Sequence, residues 1–140
     1  KWIPQENYYY AAENCGFKAR PFRTQGTFLI FQSIDDKIDD LHYYTHYIKF
    51  GLGRTSHYVA KEIRNKHITL DECKKLVKKF DGKCSEKYIQ SFCDNLNITS
   101  EEFWKTVEKF RGKMLHKNNN NWETKNRKLK RNEFFVSGAH

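Results

Sequence analysis

The sequence is poor in several features that would assign it a chemistry at once. Its four cysteines, Cys15, Cys73, Cys84 and Cys93, form no Cys-x-x-Cys pair, so a zinc site has little support. The default for such thiols is a reduced, cytoplasmic chain in which they serve as small apolar side chains. No apolar run approaches the ~18 residues that a membrane span requires, and no signal peptide is visible. There is no RNP motif, zinc finger or KH loop, which makes nucleic acid an unlikely partner. Both prolines, Pro4 and Pro21, fall in the first 31 residues together with Gly16 and Gly26. That stretch reads as irregular, with an aromatic run at Tyr8, Tyr9 and Tyr10 that could open as a helix and a short strand at Phe28 to Phe31.

Acidic residues are also in the minority. Seventeen Asp and Glu face twenty-six Lys and Arg, a net charge of +9, which suits an anionic partner. The excess gathers in Lys74, Lys75, Lys78 and Lys79 and in Lys125, Arg127, Lys128, Lys130 and Arg131. A solvated helix face and a loose basic tail account for both blocks. What is abundant is aromatic: 16% of residues are Phe, Tyr or Trp, against 38% hydrophobic in all. Each buried ring removes a large area from water, so a core remains possible in one domain of this length.

From Ser33 onward the pattern is helical. Ser33 suits a cap, with Asp36 three residues on, and Ile34, Ile38, Leu41, Thr45 and Ile48 recur at spacings of three and four. This predicts a helix from Ile34 to about Lys49, widened by Tyr44 and Tyr47 and broken by Gly51-Leu52-Gly53. A second runs from about Thr55 to Asn65 with Val59, Ala60 and Ile63 inward. Thr69 caps a third, to about Phe80, with Leu70, Cys73, Leu76, Val77 and Phe80 on one face and Asp81-Gly82 at its end. Ser85 caps a fourth, to about Leu96, with Tyr88, Ile89, Phe92 and Cys93 inward. Thr99 caps a fifth, with Phe103, Trp104, Val107 and Phe110 inward and Gly112 as its stop. The Asn118 to Asn121 run suits the turn of a small hairpin, because Asn tolerates positive φ. The expected fold is thus mainly α, with about five helices, an irregular amino-terminal segment and a small carboxy-terminal hairpin. Its parts are residues 1–32, a helical domain at 33–113, the hairpin at 114–124 and a basic, disordered tail at 125–140.

Four constellations bear on chemistry. In Lys49-Phe50-Gly51-Leu52-Gly53-Arg54 two glycines let the backbone approach a ligand, and two cations and a helix amino end suit phosphate. The bland alternative is a helix–loop–helix corner. In Ser33 to Asp40, a helix would pair Asp35 with Asp39 and Asp36 with Asp40, which suits Mg²⁺ or sugar hydroxyls, or equally a polar helix start. His42 and His46 stand at i and i+4, but no third ligand matches, so no metal is assigned and His42 is better read as an acid–base or hydrogen-bonding group. Arg20 to Thr27 is a polar loop with guanidinium groups for a carboxylate or phosphate, or an ordinary surface loop.

Taken in order, Lys1-Trp2-Ile3-Pro4-Gln5-Glu6-Asn7-Tyr8-Tyr9-Tyr10, Arg23-Thr24-Gln25-Gly26-Thr27, Ser33 to Asp39, His42-Tyr43-Tyr44, Ile48 to Arg54 and Glu62 to Thr69 resemble the N-acetyl sugar amidotransferases of lipopolysaccharide and flagellin-glycan pathways. These belong to the PP-loop ATP pyrophosphatase superfamily. The likeness runs from Lys1 to about Arg111 and more weakly through Trp122. It implies conversion of a sugar acetamido group to acetamidino, with ATP and Mg²⁺ for activation and ammonia from a glutaminase subunit. It further implies Lys49, Arg54 and His42 as catalytic groups. Arg23, Thr24, Asp35, Asp36, Asp39, Tyr43, Gly51 and Gly53 would contact substrate or nucleotide. The family's Ser-Gly-Gly-x-Asp-Ser phosphate loop is not in this chain, so the ATP-binding domain is expected outside it and the isolated chain is expected to be inactive. Thr55-Ser56 also stand where the family usually has Ala-Thr. The competing reading is a small basic helical module for an anionic partner.

Overall fold

The computed structural model describes residues 2–118 and 121–124. Six helices and one hairpin follow in order: α1 Pro4–Asn14, α2 Asp39–Phe50, α3 Arg54–Arg64, α4 Leu70–Phe80, α5 Glu86–Leu96, α6 Ser100–Phe110, then β1 Leu115–Asn118 and β2 Asn121–Thr124. The strands pair antiparallel, with Leu115 opposite Thr124 and Asn118 opposite Asn121. The fold is therefore mainly α. The expected tail at 125–140 and the turn residues Asn119 and Asn120 lie outside the described residues.

The two best-marked helix starts form as their sequences require. At Thr69 the hydroxyl accepts from the amide of Glu72, and the Glu72 carboxylate accepts from the amide of Thr69. Thr99 and Glu102 repeat this reciprocal arrangement. Each pair satisfies two amides that a helix end otherwise leaves bare. Ser85 precedes α5 but makes no side-chain cap.

The central helix is α2. One side of it packs Leu41 against Ile89, Cys93 and Phe103 of α5 and α6. Two turns on, it packs Tyr47 and Ile48 against Leu115 and Trp122 of the hairpin, where the Tyr47 hydroxyl donates to the Trp122 carbonyl at 3.1 Å. Burial of rings and aliphatic chains along this helix is the main apolar stabilisation of the domain. Cys93 is fully buried, and burial pushes the Cys84 thiol up to about 11. Both thiols therefore pack as small apolar groups.

Four expectations are corrected. The helix expected from Ile34 begins at Asp39, because Ser33 sits at φ +53° and so lacks the extended backbone that a cap residue needs. Tertiary donors hold the chain there: Arg20 Nη2 donates to the Ser33 carbonyl and Arg54 Nη2 to that of Gln32. Beyond the helical opening expected at Tyr8 to Tyr10, the amino-terminal segment holds an 11-residue helix, α1, whose Pro4 occupies the first turn where proline is suited. Phe28 to Phe31 forms no strand; the Ile30 carbonyl accepts from the Arg20 amide in a loop crossing. Leu70 and Phe110, expected inward, are 60% and 57% exposed.

Candidate functional site

The polar centre of the molecule is built on the first turn of α3. Arg54 is 2% exposed and its guanidinium is shared among four partners. Nε donates to the Tyr58 hydroxyl at 3.0 Å. Nη1 donates to Thr24 Oγ1 at 2.9 Å and to the Asp40 carboxylate at 3.0 Å. Nη2 reaches the Gln32 carbonyl at 3.3 Å. The plane also lies 4.7 Å from the Tyr43 ring centroid, a cation–π contact in a desolvated setting. Only the planar, five-donor guanidinium can serve partners spread in this way. Burial raises the Tyr58 phenol while Arg54 pulls it the other way.

Thr55 continues the same construction. Its hydroxyl donates to the Gly26 carbonyl at 2.7 Å. The Arg20–Thr27 loop is thus held from α3 at two points, Thr24 and Gly26. Gly26 itself sits at φ +69°, where glycine is the least strained choice. Arg23 in this loop is exposed, and its Nε donates to the Phe28 carbonyl at 3.0 Å.

The amino end of α3, expected to receive phosphate, is filled from within. Asp81, just past α4, accepts from the Thr55 amide at 2.8 Å and from the Ser56 amide at 3.2 Å, and the Ser56 hydroxyl adds a third donor. A carboxylate is well placed at this positive helix end. Burial raises the Asp81 carboxyl, against the lowering by its Ser56, Thr55 and Gly53 hydrogen bonds. Gly53 is required by this approach: a Cβ there would fall onto the Asp81 carboxylate, 2.5 Å from its Cγ. Gly51 ends α2 in the left-handed conformation at φ 75°. Asp81→Ala should lower the unfolding free energy by about 1–2 kcal/mol, the usual loss for a helix cap, read as a shift in the urea midpoint. An unchanged midpoint would show that the cap contributes nothing.

The other predicted residues lie apart from this cluster. His42 and Lys49 both line an apolar groove of about 640 Å³ between α2, α5 and α6, walled by Phe92, Phe103 and Val107. Asp35 and Asp36 are exposed, and Asp36 Oδ1 accepts from the Ile38 amide at 2.7 Å, turning the chain into α2. Asp39 is half-buried in the first turn of α2. Because α2 starts late, the expected helical pairing of Asp35 with Asp39 and of Asp36 with Asp40 does not form. Among the described residues no group of three or more His, Cys, Asp or Glu could hold a metal ion. So Arg54, Thr24 and Tyr43 come together, Gly51 and Gly53 flank them, and His42 and Lys49 share a different face. Sequence reading missed Tyr58 and Asp81, and it placed Asp40 in a carboxylate pair with Asp36 instead of on Arg54. The i, i+4 spacing of Arg54 and Tyr58 was the available signal; the other two are recognisable only once α2, α3 and α4 are in place.

No helix among the described residues is long and apolar enough to cross a membrane. None of the curated proteins matches the chain. Residues 10–130 match the family model described as "LPS biosynthesis protein WbpG-like, C-terminal domain". That match covers most of the 140 residues, and the chain belongs to this family of lipopolysaccharide-biosynthesis C-terminal domains.

Proposed function

We propose that the chain is the carboxy-terminal part of an ATP-dependent amidotransferase that converts a sugar acetamido group to acetamidino with ammonia from a glutaminase partner. The observation that carries the proposal is the family match over residues 10–130, which supports a role in lipopolysaccharide sugar biosynthesis. Flagellin-glycan sugars are the related substrate class.

The first turn of α3 offers no free cradle for the phosphates of ATP. Asp81 fills the amide cradle at the start of α3, and Arg54 is committed to protein partners. On this reading nucleotide and metal bind a PP-loop domain outside this chain. What these residues contribute is position. Arg54 and Thr55 hold the Arg20–Thr27 loop, which leaves Arg23 exposed for an acidic group. Lys49 and His42 present a cation and a titratable ring on the groove beside α2, where Lys49 can stabilise negative charge that develops during transfer.

Joined to or co-expressed with a PP-loop ATP-binding domain of the family, the chain should support AMP release that requires ATP, ammonia and an N-acetylated sugar. Lys49→Ala should slow that release about 10²-fold, the range for loss of one electrostatic stabiliser. Absence of AMP release, or a Lys49→Ala rate equal to the parent's, would overturn the assignment.

A further inference from the structure

We infer that the small pocket between α1 and the Phe17–Gln32 segment is a pyranose-binding site, distinct from the Arg54 cluster and from the groove at Lys49. The inference rests on the sugar-pathway reading above and assigns the sugar ring a place within it. The pocket encloses about 280 Å³ and is lined in part by Trp2, Asn7, Tyr8, Phe31, Gln32 and Lys61. That is slightly below the ~300 Å³ at which ligand pockets usually begin, a size for one sugar ring and not for a nucleotide.

The decisive observation is Asn7. Its side-chain nitrogen Nδ2 is wholly buried and is the one buried side-chain polar atom among the described residues with no hydrogen-bond partner. Buried donors are nearly always satisfied, and one left bare in an otherwise satisfied structure calls for an acceptor. Asn7 stands in the first turn of α1, anchored by its own amide to the Ile3 carbonyl at 3.0 Å. The bond fixes the Asn7 backbone at the pocket wall, and a sugar hydroxyl or acetamido oxygen entering the pocket would supply the acceptor that Nδ2 lacks.

The walls carry the matching surface. Tyr8 is stacked on Phe31, with centroids 4.4 Å apart and planes within 6°, and Phe17 meets Tyr8 edge-on at 6.0 Å. These rings form a fixed wall. Trp2 is 77% exposed, an open indole at the pocket's rim. The C–H face of a pyranose carries slight positive charge and settles on the electron-rich face of such a ring. Gln32 adds an amide side chain whose backbone is already fixed by Arg54. That contact couples the pocket to the Arg54 cluster. An apolar wall with a few fixed polar groups is the composition of a small-ligand site.

The test is titration of the ¹⁵N-labelled chain with free N-acetylglucosamine, using glycerol as the control polyol. The Asn7 side-chain amide and the Trp2 indole N–H should shift together, saturating at millimolar sugar, and glycerol should move neither. Asn7→Ala, which alanine's helix propensity makes compatible with α1, should weaken binding about fivefold to tenfold, the loss of a hydrogen bond to a buried donor. Trp2→Ala alters an exposed residue and should weaken it as well with the fold intact. Shifts confined to other residues, or no shift at any sugar concentration, would overturn the pocket. The outcomes separate from those of the amidotransferase reading: AMP release by the joined enzyme with unshifted Asn7 sinks the pocket alone, and a shifted Asn7 without AMP release sinks the reaction alone.

Discussion

Arg54→Ala should cost the folded state about 3–5 kcal/mol, the penalty for breaking one side of a buried ion pair. The Asp40 side chain is 5% exposed and that of Arg54 1% exposed. Removal of the guanidinium would therefore strand a carboxylate in a setting that water cannot readily reach. It would also free the Tyr58 hydroxyl, Thr24 and the Gln32 carbonyl at once. Against a typical net stability of about 5–15 kcal/mol, this is enough to leave a large unfolded fraction at moderate urea. Arg54→Lys should rescue little, since one ammonium cannot reach partners on opposite sides of a planar fork. The double variant Arg54→Met with Asp40→Leu should recover part of the loss, because replacement of both charges leaves no unpaired ion. Urea midpoints for the three variants check this directly. A parent-like midpoint for Arg54→Ala would show that the cluster is not the structural centre described above.

This burial also bears on what was legible in the sequence. Local rules sufficed where the interaction is local. Thr69 with Glu72 and Thr99 with Glu102 are three residues apart, so the reciprocal caps could be read directly. Ile89, Cys93 and Phe103 were recognisable as inward from the three- and four-residue spacing alone, and all three are buried. The Asn run marked the hairpin. Failure came where a distant partner overrides a local preference. Ser33 looks like a cap in isolation, yet Arg54 and Arg20 take the carbonyls of Gln32 and Ser33, on either side of the Ser33 Cα, and hold a left-handed residue instead. Asp81 looks like a helix stop, yet its carboxylate serves a different helix, twenty-five and twenty-six residues away in sequence.

The candidate site divides in the same manner. Gly-x-Gly followed by a cation and a helix is consistent both with a phosphate cradle and with a packed corner. The sequence could not choose, because the competing anion lies beyond α4. Once Asp81 is seen on the Thr55 and Ser56 amides, the corner reading accounts for Gly51, Gly53 and Arg54. Lys49 and His42 then stand out by contrast: both are exposed, and both line the groove on α2. Residue type had placed Lys49 and Arg54 on equal terms as phosphate ligands. Burial separates them into a surface cation and an internal tie.

Gly112→Ala should be the most disruptive single methyl in the domain and should act on Lys49 from a distance. Gly112 lies between α6 and the hairpin, donates its amide to the Ile48 carbonyl at 3.1 Å and accepts from the Leu115 amide at 3.3 Å. A Cβ at this position would land on the Lys49 carbonyl oxygen, 2.8 Å from its carbon. Both sides of that contact are backbone, so no side chain can swing away. Relief requires the end of α2 to move or the hairpin to lift. Lifting the hairpin uncovers Leu115 and Trp122, which are 0% and 6% exposed, and draws the Trp122 carbonyl off the Tyr47 hydroxyl. Overpacking usually costs about 1–3 kcal/mol; with backbone on both sides the loss should fall at the upper end, about 3 kcal/mol. The far-ultraviolet helix signal should survive in dilute buffer, while the tryptophan emission shifts to the red as Trp122 is uncovered and the urea midpoint falls. In the joined enzyme the same variant should reduce AMP release more than its residual folded fraction explains, because the carbonyl displaced belongs to Lys49 itself. A rate that merely tracks the folded fraction would confine Gly112 to stability and detach Lys49 from the reaction's geometry.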